Sequence, residues 1–165
     1  MYKKIFTSLV ITLSVWLASS LSANDSYVMD YDKETTCLVR NFKVYENPQW
    51  VSKIELTNGK KLFFSSPKSM IEFYLVPGRW FDIGVKSEED FKDILVTNFA
   101  TLKPIDARGA FFVYGSNTTS PAGDDLVPFA TYEEAKKFAS THNGKRVMSF
   151  NQISDALIRL LNGSL

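Results

Sequence analysis

Residues 105–129 read IDARGAFFVYGSNTTSPAGDDLVPF, and the fold turns on how this stretch is read. Ala110-Phe111-Phe112-Val113-Tyr114 is a continuous apolar run of strand type, closed by Gly115-Ser116. Residues 117–125 are rich in Ser, Thr, Asn, Gly, Pro and Asp, the composition of a loop. Leu126-Val127-Pro128-Phe129 then makes a short strand that runs into a helix start. The expectation is a buried strand, a polar loop and a re-entry, with the loop tip placed to hold a ligand. That loop carries no strongly reactive side chain.

On the C-terminal side, Thr131 followed by Glu134 is a capping box. It opens a helix whose inner face carries Ala135, Phe138 and Ala139, and Asn143-Gly144 closes it. Arg146 to Phe150 alternates as a final strand. Ile153, Leu157, Ile158 and Leu161 fit a terminal amphipathic helix. On the N-terminal side, 94–99 reads as a strand, 103–108 as a bend, and 79–93 as irregular with an acidic patch at Glu88-Glu89-Asp90. Further back, Val51, Ile54 and Leu56 lie in a strand that ends at Asn58-Gly59, a strong hairpin signal, and 61–64 returns as its partner. Ser66 caps the next helix with Pro67 at its first position, and Pro77-Gly78 ends it.

Two segments share a pattern. Phe64-Ser65-Ser66 through Phe73 superposes on Phe129-Ala130-Thr131 through Phe138, with Phe, cap and Phe at the same spacing. Two related strand-strand-helix lobes would give this pattern, and so would two unrelated capped helices that each follow a strand; the elements as a whole make an α+β chain with a C-terminal helix.

The chain has 165 residues, and 1–23 are expected to lie outside the fold. Lys3-Lys4, an apolar core and the small-residue exit Ser20-Leu21-Ser22-Ala23 read as a secretory signal peptide, cut after Ala23 or Ser22. Its apolar run is too short to span a membrane, so the mature form should carry no stable span and should be exported. Residues 24–36 read as a loosely held, acidic arm. Loss of Lys3 and Lys4 leaves 17 basic against 18 acidic residues, with no electrostatic footprint for nucleic acid. The one cysteine, Cys37, has no internal partner for a disulfide.

Cys37 is the most distinctive chemical group: a soft ligand for Cu(I) or Zn and a nucleophile once deprotonated. The alternatives are an inert buried residue or pairing with another chain. His142, the single histidine, sits where a helix ends and suits capping better than metal ligation. Met70 and Met148 carry thioethers, but both lie on apolar faces that favour packing. Asp106, Asp124 and Asp125 read as turn formers rather than a working carboxylate group. No nucleophile-base-acid spacing and no phosphate-cradle spacing is present, so the chain is not expected to be an enzyme.

Several motifs occur in order: Pro48-x-Trp50-Val51, Ile105-Asp106-Ala107-Arg108-x-Ala110, Val113-x-Gly115-Ser116, Pro121-x-Gly123-x-x-Leu126-x-Pro128-Phe129, Ala135-x-x-Phe138 and His142-x-Gly144. As a set they resemble the NosL family, copper-binding accessory proteins of nitrous oxide reductase, over roughly residues 37–155. The resemblance implies a periplasmic copper metallochaperone, an α+β unit of two related ββα-type lobes at about 37–93 and 94–161 with a C-terminal helix. Its partner would be nitrous oxide reductase or another copper-handling protein, and a homodimer or a heterodimer with a ligand-complete relative stays open. It also implies a soft-donor site that this sequence has largely lost. Where the family carries Cys-x-x-Cys-Gly-Met, this chain has Cys37-Leu38-Val39-Arg40-Asn41-Phe42, and the family's Pro-Met-Gly is Pro121-Ala122-Gly123. Cys37 is the one metal ligand expected to remain, since Arg40, Phe42 and Ala122 replace the others, and a cation at Arg40 opposes a bound metal ion. Two readings stand: a Cu(I)-handling protein working through Cys37, or a metal-free relative acting as a binding or scaffold subunit. A thiol redox enzyme would need a resolving thiol from another molecule.

Overall fold

The structure, a computed structural model, describes residues 27–164. The expected signal peptide lies outside them.

The first lobe begins with strand β1 (Ser52–Leu56), which turns through Asn58-Gly59 into β2 (Lys61–Phe64). Gly59 takes a φ of 84°, the left-handed geometry that makes Gly the natural residue in this turn. Helix α1 (Pro67–Leu75) starts as the sequence predicts, with the Ser66 side chain accepting from the Ser69 N–H and Pro67 at its first position. The chain then passes through 3-10 turns and returns as β3 (Phe91–Thr97), antiparallel to β1 with Ile54 opposite Ile94. A short β4 (Pro104–Asp106) completes a sheet of order β2-β1-β3-β4. The expected lobe boundary at 93/94 therefore cuts through β3. Ile54 and Ile94 are both fully buried, and their pairing assigns the whole of β3 to the first lobe.

The second lobe repeats this topology. Strands β5 (Phe111–Ser120) and β6 (Gly123–Phe129) form a hairpin, helix α2 (Tyr132–Thr141) follows, and β7 (Arg146–Ser149) returns beside β5, giving the order β6-β5-β7. In each lobe the strand after the helix pairs on the far side of the first strand. Phe64 and Phe129 each end the second strand, and Ser66 and Thr131 each cap the helix, so the repeat in the sequence marks a repeated strand-strand-helix-strand unit.

The polar loop expected at 117–125 is instead the far end of this hairpin. Thr119 pairs with Asp124 and Ser120 with Gly123, which leaves Pro121 and Ala122 as the tip. The ladder slips between Tyr114 and Thr119, where Gly115 has a φ of 71°. There the Asn117 N–H bonds to the His142 carbonyl at 2.9 Å and the Lys145 N–H to the Tyr114 carbonyl at 2.9 Å, so the α2–β7 connection holds the bulged strand. A polar composition hid a strand whose outer end has little core to face.

The second sheet is buried on both faces. Phe112, Leu126 and Met148 point into a core shared with Ile54, Phe64, Met70, Phe73 and Ile94 of the first lobe. Val113 and Val127 point the other way, with Trp50, Phe129 and Ala135 of α2. This alternation is the period-two pattern of a strand between two layers. Helix α1 touches β1 and β2 of its own lobe and β6 of the other. Helix α3 (Asp155–Leu161), capped by Ser154, packs on α1 and buries Ile158.

The described part of the expected arm is tied down. Lys53 donates to the Val28 carbonyl and to Asp30 (2.8 Å), Lys61 also bonds Asp30, and Tyr31 meets Phe63 edge-on. A segment read as loose from its polarity is held by one carboxylate between two lysines of the β1–β2 hairpin.

Candidate functional site

Cys37 opens a tight turn. Its N–H donates to the Phe42 carbonyl (2.8 Å), its carbonyl accepts from the Asn41 N–H (2.9 Å), and the Leu38 N–H bonds the Phe63 carbonyl of β2 (2.9 Å). Asn41 takes a φ of 58°, a conformation Asn tolerates better than most residues. The turn thus lies beside β2, the edge strand of the first sheet. Cys37 is a free thiol with no exposed surface, packed into the shared core beneath a shallow pocket of about 360 Å³ lined by Thr35, Asn41 and Lys61.

Arg40, where the resemblance places a second cysteine, is committed to the helices. It donates from Nε to Ser69 Oγ (3.1 Å) and from Nη2 to Asn162 Oδ1 (2.7 Å), and it pairs with Glu72 at 3.5 Å. Asn162 in turn donates to Glu72 (2.9 Å), closing a small network between α1 and the end of α3. Ala122, at the position of the family's loop methionine, offers its carbonyl to Lys68 Nζ at 2.8 Å. Lys68 Nζ also bonds the Leu161 carbonyl at the end of α3 (3.0 Å), and the Lys68 N–H donates to Asp125 Oδ1 (2.8 Å). The 37–42 turn, the hairpin tip and the end of α3 therefore meet at the first turn of α1.

Electrostatics at this junction follow from burial. Lys68 is 1% exposed and Asp125 is 3% exposed. Burial pushes the Asp125 carboxyl above the ordinary carboxylate range, against hydrogen bonds from the Leu126 N–H, Ser120, Ser66 and the Lys68 N–H. Burial likewise pushes the Lys68 ammonium below the ordinary lysine range. The Asp125 charge pulls it back, and the Arg40 charge adds to the downward push.

The other candidates lie elsewhere. Met70 and Met148 are 0% and 4% exposed in the shared core, the packing role their apolar settings predict. The His142 N–H closes the end of α2 on the Phe138 carbonyl, and its ring stacks on Phe138 with centroids 3.9 Å apart, on the far face of the second sheet. Its Nδ1 lies 3.1 Å from the Phe138 carbonyl, so the ring serves the helix end. Asp106 accepts from the Arg108 N–H (2.9 Å), a turn role. Phe42 is half-exposed. Among the described residues no group of three or more His, Cys, Asp and Glu is arranged to hold a metal ion. Donors at the junction are oxygens, whereas Cu(I) favours thiolates and thioethers, and Cys37, the one sulfur at the positions the resemblance marks, is a lone buried thiol that does not by itself fit that ion.

Sequence reading missed Lys68, Ser69, Glu72 and Asn162, and it read Asp125 as a turn former where the structure buries it within β6. One signal was present: a lysine in the first turn of a helix opposes the helix dipole, and a position that breaks that preference calls for a specific partner.

Two similar lobes sharing one core, with their loops converging on the start of α1, define a compact two-repeat scaffold with a junction between its halves. The family model for NosL matches residues 27–158, and the chain belongs to the NosL family. The fold matches the crystal structure of the copper chaperone NosL from Shewanella denitrificans with a TM-score of 0.68 at 21% identity, covering 79% of this chain and 98% of that one. The solution NMR structure of the apo-NosL protein from Achromobacter cycloclastes is similar at 25% identity and a TM-score of 0.41, covering 65% and 87%. Among curated proteins there is no match.

Proposed function

We propose that this chain is an exported, non-enzymatic accessory protein of the NosL type, serving maturation of nitrous oxide reductase or a related copper enzyme. The family match over residues 27–158 carries this reading. A copper chaperone of the same fold and a leader-like N-terminus support it. No helix among the described residues is long and apolar enough to cross a membrane.

Within that role the site chemistry favours a protein-binding subunit over an independent Cu(I) carrier. Cys37 is the one sulfur left at the family positions and is fully buried. Arg40 is engaged by Ser69, Glu72 and Asn162, and Ala122 offers a backbone oxygen to a lysine. The second reading, copper transfer through Cys37 with donors from a partner chain, keeps its footing in the thiol's place under a pocket.

Titrating Cu(I) into purified protein against a competing chelator separates the two. The expected result is the same weak binding in wild type and Cys37→Ser, with the partner still captured by both. Stoichiometric Cu(I) binding that disappears in Cys37→Ser would establish the carrier reading instead. The accessory role has its own readout: deleting the gene should lower the copper content of the client enzyme, and unchanged metal content would overturn it. Export is checked by N-terminal sequencing of the secreted protein, which should begin at Ala23 or Asn24.

A further inference from the structure

The junction at the start of α1 gathers groups that call for a cation. Leu161 lies in the last turn of α3, where carbonyls lack partners inside the helix and the dipole is negative. Ala122 is one of two residues at the hairpin tip, beyond the last ladder pair of Ser120 and Gly123. Both carbonyls point to one nitrogen, Lys68 Nζ, at 2.8 and 3.0 Å. Below them Asp125 is buried and accepts from the Lys68 N–H at 2.8 Å. A pocket of about 280 Å³, lined by Asp125 and Leu161 among others, lies beside this place.

We propose that this junction is a cation site that the chain fills itself, with the Lys68 ammonium standing where a small primary ammonium ion binds once the side chain is cut back. Two carbonyls, one from each of two elements far apart in sequence, supply the hydrogen-bond acceptors. The buried Asp125 carboxyl, bonded to the Lys68 N–H, fixes the backbone of the helix start beneath them. The cation pins the hairpin tip of the second lobe and the end of α3 to the first turn of α1. An apolar side chain of the same length fills the space but leaves the two carbonyls without their donor, which is costly for polar groups away from water. This inference is independent of how copper is handled, because none of its groups is a sulfur.

Chemical rescue tests it. Lys68→Ala removes three methylenes and the nitrogen, the atoms of propylammonium. Melting of full-length Lys68→Ala is compared in propylammonium chloride, tetramethylammonium chloride and sodium chloride at equal ionic strength. The variant should melt about 10 °C below wild type in sodium chloride. Propylammonium should recover roughly half of that loss in a saturable way, with no matching gain for wild type. Tetramethylammonium, which has the charge but no N–H, should not. Equal effects of the two organic cations on the variant would overturn the proposal. Should Lys68→Ala fail to fold, Lys68→Met and Lys68→Arg decide: Met should melt well below Arg, and a Met variant as stable as wild type would sink the idea.

Discussion

Asp30 shows how a single side chain can be structural while reading as part of a tail. Its carboxylate lies between Lys53 and Lys61, and Lys53, with a side chain only 5% exposed, also donates to the Val28 carbonyl and lies 4.0 Å from Glu55. Partial burial pushes the Asp30 carboxyl up, but hydrogen bonds and charge from Lys53 and Lys61 outweigh it and hold the group below its ordinary value of 3.8. A carboxyl with a lowered folded-state pKa adds stability that is full above its unfolded value and fades as pH falls through the folded value. Asp30→Asn should therefore cost about 1–3 kcal/mol at pH 7, and the gap to wild type should close in strongly acidic buffer. Urea midpoints at the two pH values measure it; a gap that persisted in acid would assign the effect to packing instead. Caps such as Ser66-Pro67 and Thr131-x-x-Glu134 were legible in sequence because their partners lie within one turn. Asp30 and Asp125 were not, since they meet Lys53 and Lys68 across 23 and 57 residues, and polarity alone cannot separate a solvated carboxylate from a paired one.

At the scale of elements, the two helix starts look alike in sequence and differ in surroundings. Thr131 is exposed and its own cap bonds are local, to the Glu134 N–H and side chain, although that carboxylate also accepts from Asn98 at 3.4 Å. Ser66 has no exposed surface; its hydroxyl meets the Ser69 N–H and Ser69 Oγ and supports the buried Asp125 carboxylate. Losing the exposed cap by Thr131→Ala should cost about 1 kcal/mol. Ser66→Ala also strips a donor from buried groups and should cost roughly 2–3 kcal/mol. Denaturant midpoints of the two variants compare the starts directly, and equal losses would mean that the junction adds nothing to the cap. The same difference in surroundings explains what was readable in the strands. The apolar core of β5 announced itself through Phe112 and Val113, each buried on its own face. The polar outer end did not, because pairing beyond a bulge depends on register with β6 rather than on composition.

For the whole molecule, the lobes repeat one topology but do not own separate cores. Phe112 of β5 is fully buried, packs beside Phe150, and belongs to the same cluster as Phe64, Phe73 and Ile94 of the first lobe. Helix α1 lies between β1–β2 and β6, so its apolar face is covered only when both halves are present. Ridding the second lobe of one ring should therefore be felt in the first. Trp80 stacks edge-on against Phe73 with centroids 5.5 Å apart, whereas Trp50 lies in the smaller cluster with Val113 and Phe129, so Trp50→Phe leaves Trp80 as the reporter within the described fold. In that background Phe112→Ala should lower stability by about 3–5 kcal/mol. The fluorescence midpoint of Trp80 should shift together with the far-ultraviolet circular dichroism midpoint, as one cooperative unit requires. Two lobes that fold independently would leave the Trp80 midpoint in place while the dichroism signal split into two steps. The shared core requires the first result, because exposing one face of α1 strips cover from Phe73, the ring that Trp80 rests on.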